Sequence, residues 1–361
     1  MNQYKTKYIH LLLVDELKFI PRIVNLINDS KNNLCPENHT FITPYTKVYE
    51  ALKHYPNVEL DVSNDNLYTK YADRCDWIFS HGMIPKKQVL TTSKAVLGKV
   101  IYRYWGGSTV TSSYPSFNRP IKYIKSKLKR ALFCRIYGSF AAIGVANVTD
   151  VLDLSRILKN TKFYRMPYPV SNGYEIIQNM KRRAPRNDGY VNVLLGHRGK
   201  HEDNHVQLIE SLRKYENDKV RIYVPLSYGD EAYIEGIKKY ISEKGWHNII
   251  VITDFLEYCE YIEMLNDMDI AILDGTTSYA LGNIAILLSL GKTIYINRNG
   301  IIKQAFDKLG LPCKCIDELE RESFSQLATL IDYSPFEGNE LEIHTFEFYV
   351  ELWKNILSDF N

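Results

Sequence analysis

Apolar positions in this chain fall into short runs separated by amphipathic stretches, and the alternation runs twice. "YIHLLLVD" (8–15) reads as a buried first strand, because a run apolar on nearly every position leaves neither face for water. "LKFIPRIVNLINDS" (17–30) follows at helical spacing, with Pro21 suited to a first turn. Strand-like runs recur at 39–44, 76–83, 100–108, 140–147 and 162–169, and helical stretches at 48–55, 119–137 and 149–158. The segment 180–188, "MKRRAPRND", is charged, contains a proline and has no apolar face. After it the rhythm restarts, with strands at 190–195, 219–225, 248–253, 269–273 and 292–296 and helices at 204–216, 230–244, 257–266 and 282–290.

Short apolar strands alternating with helices of this length are the pattern of parallel βαβ units. The expectation is an α/β protein of two Rossmann-like doubly wound domains, 1–180 and 189–335, joined by a linker at 181–188. A closing segment, 336–361, carries an amphipathic helix expected to pack back on the first domain. Ligands of such folds sit at the carboxyl ends of the strands and in the cleft between domains.

The 361 residues are too many for one ordinary core and suit two. The 27 tyrosines fit sugar-stacking or membrane-interface surfaces as well as cores. Six scattered cysteines, of which only Cys313 and Cys315 are close, read as reduced cytosolic thiols. The apolar run 9–14 meets Asp15 and Glu16 too soon for a signal peptide, and no run approaches the ~20 residues that span a bilayer. These features predict a cytoplasmic protein, soluble or peripheral. The net charge of +3 hides an asymmetry: no acidic residue stands between Asp76 and Asp150, where twelve lysines and arginines do. That field suits a polyanion or an anionic membrane.

The densest chemistry is "NVLLGHRGKHEDNH" (192–205), with His197, His201 and His205 four apart. Its place between a strand and a helix makes it a βα loop, where a helix N-terminus favours an anion and glycine lets backbone approach it. Gly196, His197, Arg198, Gly199 and His205 are candidate pyrophosphate contacts; a histidine metal site would need one continuous helix, against Gly196 and Gly199. His201, Glu202 and Asp203 read as polar filler. Gly282-Asn283 opens a second helix behind the strand end Asp274-Gly275, and Arg298 ends the next strand. Pro225 and Tyr228 end another, where Tyr228 could stack a base. "DMD" (267–269) has a metal-binding look but lies at the wrong end of a strand. In the first half, Asp15 and His81-Gly82 end strands and are candidate general bases, and Trp105-Gly106-Gly107 ends another. "RPIKYIKSKLKRALFCRIYG" (119–138) is a basic amphipathic helix; Lys122, Lys125, Lys129 and Arg130 suit an anionic leaflet, whereas no nucleic-acid motif accompanies them.

The chain resembles the TDP-N-acetylfucosamine:lipid II N-acetylfucosaminyltransferases, the 4-alpha-L-fucosyltransferases of glycosyltransferase family 56. The resemblance is carried by "IHLLLVD" (9–15), "FSHG" (79–82), "YWGG" (104–107), "FYRMPYP" (163–169), "VLLGHRGKHEDNH" (193–205), "VRIYVPLSYGDEAYI" (220–234), "LEYCEYIEMLNDMDIA" (256–271), "GNIAILLSLGK" (282–292) and "INRN" (296–299). It implies a GT-B glycosyltransferase fold with the nucleotide-sugar in the C-terminal domain and the acceptor in the N-terminal one. It further implies metal-independent transfer of 4-acetamido-4,6-dideoxygalactose from a TDP carrier to an undecaprenyl-pyrophosphate-linked saccharide, at the inner face of a bacterial cytoplasmic membrane. The pattern departs at Gly107-Ser108, where the family carries an acidic residue, and at "GTTSYAL" (275–281), where it carries Arg and Gln. Competing readings are a UDP- or GDP-sugar transferase for capsule or O-antigen, a nucleotide-sugar epimerase or hydrolase of this fold, and a non-catalytic membrane scaffold.

Overall fold

Valine, isoleucine and leucine runs form two all-parallel sheets, each flanked by helices. The computed structural model describes residues 6–106, 120–169, 173–183 and 186–360. The first sheet contains β1 (Thr6–Leu12), β2 (His39–Thr43), β3 (Val58–Leu60), β4 (Cys75–His81), β5 (Val100–Arg103), β6 (Ala142–Val145) and β7 (Phe163–Arg165), in the order β3-β2-β1-β4-β5-β6-β7. The second contains β8 (Val191–Leu195), β9 (Val220–Pro225), β10 (Ile249–Ile252), β11 (Ile270–Leu273), β12 (Thr293–Ile296) and β13 (Lys314–Cys315), in the order β10-β9-β8-β11-β12-β13. Both orders reverse direction once, between β1 and β4 and between β8 and β11. At such a switch point the crossovers leave on opposite faces and open a crevice beyond the carboxyl ends of the strands.

Each unit has its own core. Ile9, Leu11, Ile42, Ile78, Val100 and Ile143 are fully buried in the first. Val193, Leu195, Ile222, Val224, Ile270 and Tyr295 are fully buried in the second. The chain divides between Pro169 and Val170 and again between His344 and Thr345, and the last seventeen residues belong to the first unit. There the helix Phe346–Ser358 is capped by Thr345, whose hydroxyl accepts from Phe348 N at 3.3 Å. Its Trp353 ring lies 5.7 Å from Phe79, and the Tyr8 hydroxyl donates to the Leu357 carbonyl at 3.3 Å.

The boundary corrects the expectation of a linker at 181–188. The helix Gly173–Lys181 buries Ile177 and Met180 within the second unit. The charges that make the segment look unstructured are paired inside that unit: Arg183 with Glu263 at 2.9 Å, Arg186 with Asp188 and Asp269, and Asp188 with Arg221 at 2.5 Å. Asp269, part of the metal-like "DMD", also accepts from Asn192 N at 2.8 Å and so anchors the start of β11.

The helix Pro120–Tyr137 divides its apolar residues between two faces. Phe133 and Ile136 enter the first unit's core, whereas Ile121, Ile124, Leu128 and Leu132 are exposed. Spacings of three, four and four place those four on one stripe. Gly107 and Ser108 lie outside the described residues.

Candidate functional site

The second unit's switch point is built by the loop after β8. Gly196 turns with φ +73°, the backbone of 201–203 makes a short 3-10 turn, and Asn204 (φ +49°) starts the helix His205–Leu212. The turn drives Asp203 inward until it is fully buried, against the expectation that it only keeps the loop polar. Its carboxylate lies 3.4 Å from His197 Nδ1 and 3.6 Å from Arg198 Nε, ion-pair separations longer than good hydrogen bonds. Those atoms, with the Tyr279 hydroxyl and His205 Nε2, are buried polar groups without hydrogen bonds from the chain itself. Tyr279 packs 5.2 Å from the His197 ring and 6.0 Å from the Arg198 guanidinium. Polar atoms gathered in this way at a helix entrance are prepared for a ligand.

Asp274, at the end of β11, ties three loops together. Its two oxygens accept from Asn204 at 2.8 Å and from Asn297 at 2.7 Å. The helix Leu281–Ser289 begins beyond it at Ala280 (φ +52°), with no side chain capping its first N–H groups. Free N–H groups and the helix dipole make that end attractive to a phosphate. Gly282 is exposed there and a Cβ would meet nothing within 4 Å, while the Asn283 side chain reaches the Tyr261 hydroxyl.

Other candidates fall into place differently from their sequence reading. Gly196 and Gly199 do not leave backbone bare for a ligand. A Cβ on Gly196 would meet His205 Nε2 at 2.7 Å, and one on Gly199 would meet Ile234 at 2.2 Å. Gly199 pairs with Gly229 across adjacent loops, its N–H donating to the Tyr228 carbonyl at 2.8 Å. These glycines therefore close loop on loop. Arg298 is corrected as a donor contact, because Asp317 and Glu318 hold its guanidinium at 2.9 and 2.7 Å. Pro225 is buried at the end of β9, and Tyr228 stands half exposed beyond it. The histidines separate: His201 packs 4.2 Å from the Tyr233 ring and His205 Nδ1 lies 3.1 Å from the Tyr233 hydroxyl. Among the described residues no group of three or more His, Cys, Asp or Glu is placed to hold a metal ion.

Asp203 has a measurable signature. Burial raises its carboxyl from 3.8 to about 6, against the opposing pull of Arg198. The folded chain thus holds this proton more tightly than the unfolded chain does. The associated stability is present below about pH 4 and lost as pH rises through about 6. His197 and His205, lowered by burial to about 4, act in the opposite sense and lose stability as pH falls. The Asp203 contribution is therefore read as a difference. Asp203→Asn should gain roughly 2 kcal/mol relative to wild type between pH 4.5 and pH 7.5, measured by urea unfolding at both. A constant difference across that range would show that the carboxyl does not titrate there.

In the first unit the corresponding switch point lies beyond β1 and β4. Asp15 is exposed three residues past the end of β1 and makes no hydrogen bond or ion pair among the described residues. His81 is fully buried, which corrects its reading as a free base. Its Nε2 lies 3.1 Å from His10 Nδ1 and its Nδ1 lies 2.9 Å from the Tyr168 hydroxyl. His10 Nε2 in turn lies 2.9 Å from His39 Nδ1. Burial and the Arg103 charge lower His81 to about 3, burial lowers His39 to about 4, and His10 falls well below its ordinary value for the same first reason. His10 and His81 spend both ring nitrogens within this chain of neutral imidazoles, and the remaining one, His39 Nε2, is buried; their effect is to hold Tyr168. Half-buried Trp105 packs 5.1 Å from the Tyr168 ring, and Phe19 lies 6.1 Å from Trp105. Lys122, Lys125 and Lys129 are exposed on their helix and Arg130 is half buried.

Comparison with known proteins agrees with this architecture. The family described as 4-alpha-L-fucosyltransferase, glycosyl transferase group 56, matches residues 6–359. A glycosyltransferase from Rickettsia africae ESF-5 is 13% identical with a TM-score of 0.58, covering 99% of this chain and 98% of its own. Anabaena HepE in complex with UDP and glucose is 11% identical, TM-score 0.56, covering 98% and 100%. An E. coli structure described as trehalose-6-phosphate bound with UDP-2-fluoro glucose is 9% identical, TM-score 0.54, covering 98% and 99%. The shared fold is GT-B.

Proposed function

The chain belongs to the 4-alpha-L-fucosyltransferases of glycosyl transferase group 56 and is a glycosyltransferase, and from that premise we propose that it moves a deoxy-amino sugar from a TDP carrier to an undecaprenyl-pyrophosphate-linked saccharide. The observation that carries the reading is the second unit's switch point, where Arg198, His197 and the uncapped helix at Gly282 converge on one crevice edge as a diphosphate would require. His205 and Tyr228 border the same loops. Arg198 and the helix N–H groups neutralise the departing diphosphate, so the transfer proceeds without a metal. Asp15 takes the proton of the acceptor hydroxyl, and the histidine chain through His81 holds Tyr168 by its hydroxyl.

The membrane part of the proposal rests on the stripe Ile121, Ile124, Leu128 and Leu132, exposed on a helix whose exposed Lys122, Lys125 and Lys129 run along one edge of that stripe. An interfacial helix buries such a stripe among acyl chains and leaves its cations at the headgroups. Among the described residues no helix is long and apolar enough to cross a membrane, and the proposed attachment is by this helix lying along the surface.

The test is a thermal-shift screen against TDP-, UDP- and GDP-sugars, followed by transfer to a lipid-linked acceptor on anionic vesicles. A TDP-sugar is expected to give the largest rise in melting temperature and to be consumed only when acceptor is present. A larger shift with a UDP- or GDP-sugar would overturn the donor, and consumption without acceptor would point to hydrolysis.

A further inference from the structure

The first unit holds a buried cation that no carboxylate of the described residues contacts directly. Arg103 closes β5 and is 5% exposed. Its Nε donates to the Met166 carbonyl at 2.6 Å and its guanidinium lies 5.2 Å from the centre of the Tyr168 ring. No carboxylate of the described residues comes within 4.0 Å of it. Asp150 acts on it only from farther away, and the Asp150 carboxylate is occupied in accepting from Ala146 N at 3.3 Å. Arg103 Nη1 is buried without a hydrogen-bond partner. A desolvated guanidinium with an open N–H is stable when an anion reaches it, and the planar fork suits a carboxylate or a phosphate.

The surroundings narrow the ligand. Trp105 Nε1 is a second buried donor without a partner. The Trp105, Phe19 and Tyr168 rings lie 5.1 to 6.1 Å from one another. They come from the segments that follow β1, β5 and β7, so the group stands at the carboxyl edge of the sheet. Aromatic faces beside a few fixed donors form the usual platform for a sugar ring. The histidine chain holds Tyr168 in that group through its hydroxyl.

Resting on the glycosyltransferase reading, we propose that Arg103 and Trp105 bind an anionic oxygen of the acceptor while Phe19, Trp105 and Tyr168 pack against the sugar ring beside it. The oxygen belongs either to the carboxylate of an acidic sugar or to a phosphate of the carrier, and the two are separable by experiment. Arg103 is in this account a specificity-determining residue for the acceptor.

The experiment titrates the full chain by calorimetry with methyl β-glucuronide, methyl β-glucoside and inorganic pyrophosphate, with TDP saturating the second unit. One of the two anions should bind at least about tenfold tighter than the neutral glucoside, and Arg103→Gln should erase that preference. Preference for glucuronide assigns the site to an acidic sugar; preference for pyrophosphate assigns it to the carrier. Trp105→Phe should weaken the same ligand about threefold to tenfold at unchanged melting temperature. If Arg103→Gln does not fold, Arg103→Lys keeps the charge, loses the fork and should still reduce the preference at least about threefold. An anion bound no tighter than the glucoside, or a preference untouched by the Arg103 variants, overturns the proposal. Nucleotide-sugar binding in the same preparations is read separately, so its persistence leaves the glycosyltransferase reading standing, and its loss removes that reading too.

Discussion

Replacing Arg198 with Gln should lower kcat by about 10²–10³-fold while changing melting temperature little. The leaving diphosphate gains negative charge as the glycosidic bond breaks, so a cation fixed beforehand acts more strongly on the transition state than on the bound donor. Arg198 is fixed in that way. Asp203 lies 3.6 Å behind its Nε, Tyr279 flanks it at 6.0 Å, and its side chain remains 23% exposed. Gln keeps most of the bulk, and without the cation Asp203 holds its proton more readily, so no charged carboxylate is left buried and unpaired. Arg198→Lys retains the charge without the two-pronged geometry and should recover about tenfold of the loss. Steady-state transfer at saturating donor is the measurement; Arg198→Gln turning over within a factor of about three of wild type would remove Arg198 from the chemistry.

The two sheets are readable from periodicity because most of their strands are buried on both faces. β2, β5, β6, β8, β11 and β12 are buried along their whole length, and β11 is an unbroken apolar run. β3 and β13 are not, because edge strands of three and two residues carry no pattern long enough to see. The site is legible by position rather than by cause. The loop 196–204 announces itself by its glycines, yet those glycines answer to His205 and Ile234. Asp203 carries no local signal, since its burial comes from a 3-10 turn that its polar neighbours hide. Arg298 looks available until β13 brings Asp317 and Glu318, nineteen and twenty residues on, against it. His10, His39 and His81 meet only through strand pairing, where Leu12 lies opposite His81 and Tyr8 opposite His39. A residue whose role depends on a neighbour in another strand is invisible to any window of sequence.

Gly282→Ala should stabilise the ligand-free protein and damage its function, a combination that few substitutions produce. Gly282 is the second residue of the helix Leu281–Ser289 and its φ lies outside the left-handed region. Glycine in a helix costs up to about 1 kcal/mol relative to alanine, mostly through the freedom of the unfolded chain. A Cβ here would meet nothing within 4 Å, so no strain offsets the gain. The melting temperature of the free protein should rise by about 1–3 °C. With a donor present the same methyl group stands where a diphosphate must approach the uncapped N–H groups. Pushing an anion away from charge-assisted hydrogen bonds of this kind costs about tenfold to a hundredfold in affinity. Calorimetric titration with the nucleotide diphosphate measures the second effect and thermal unfolding the first. If affinity is unchanged while stability rises, this helix end does not hold the donor and the phosphate lies wholly on the Arg198 loop. If both fall, the glycine serves the fold in a manner its open surroundings do not show.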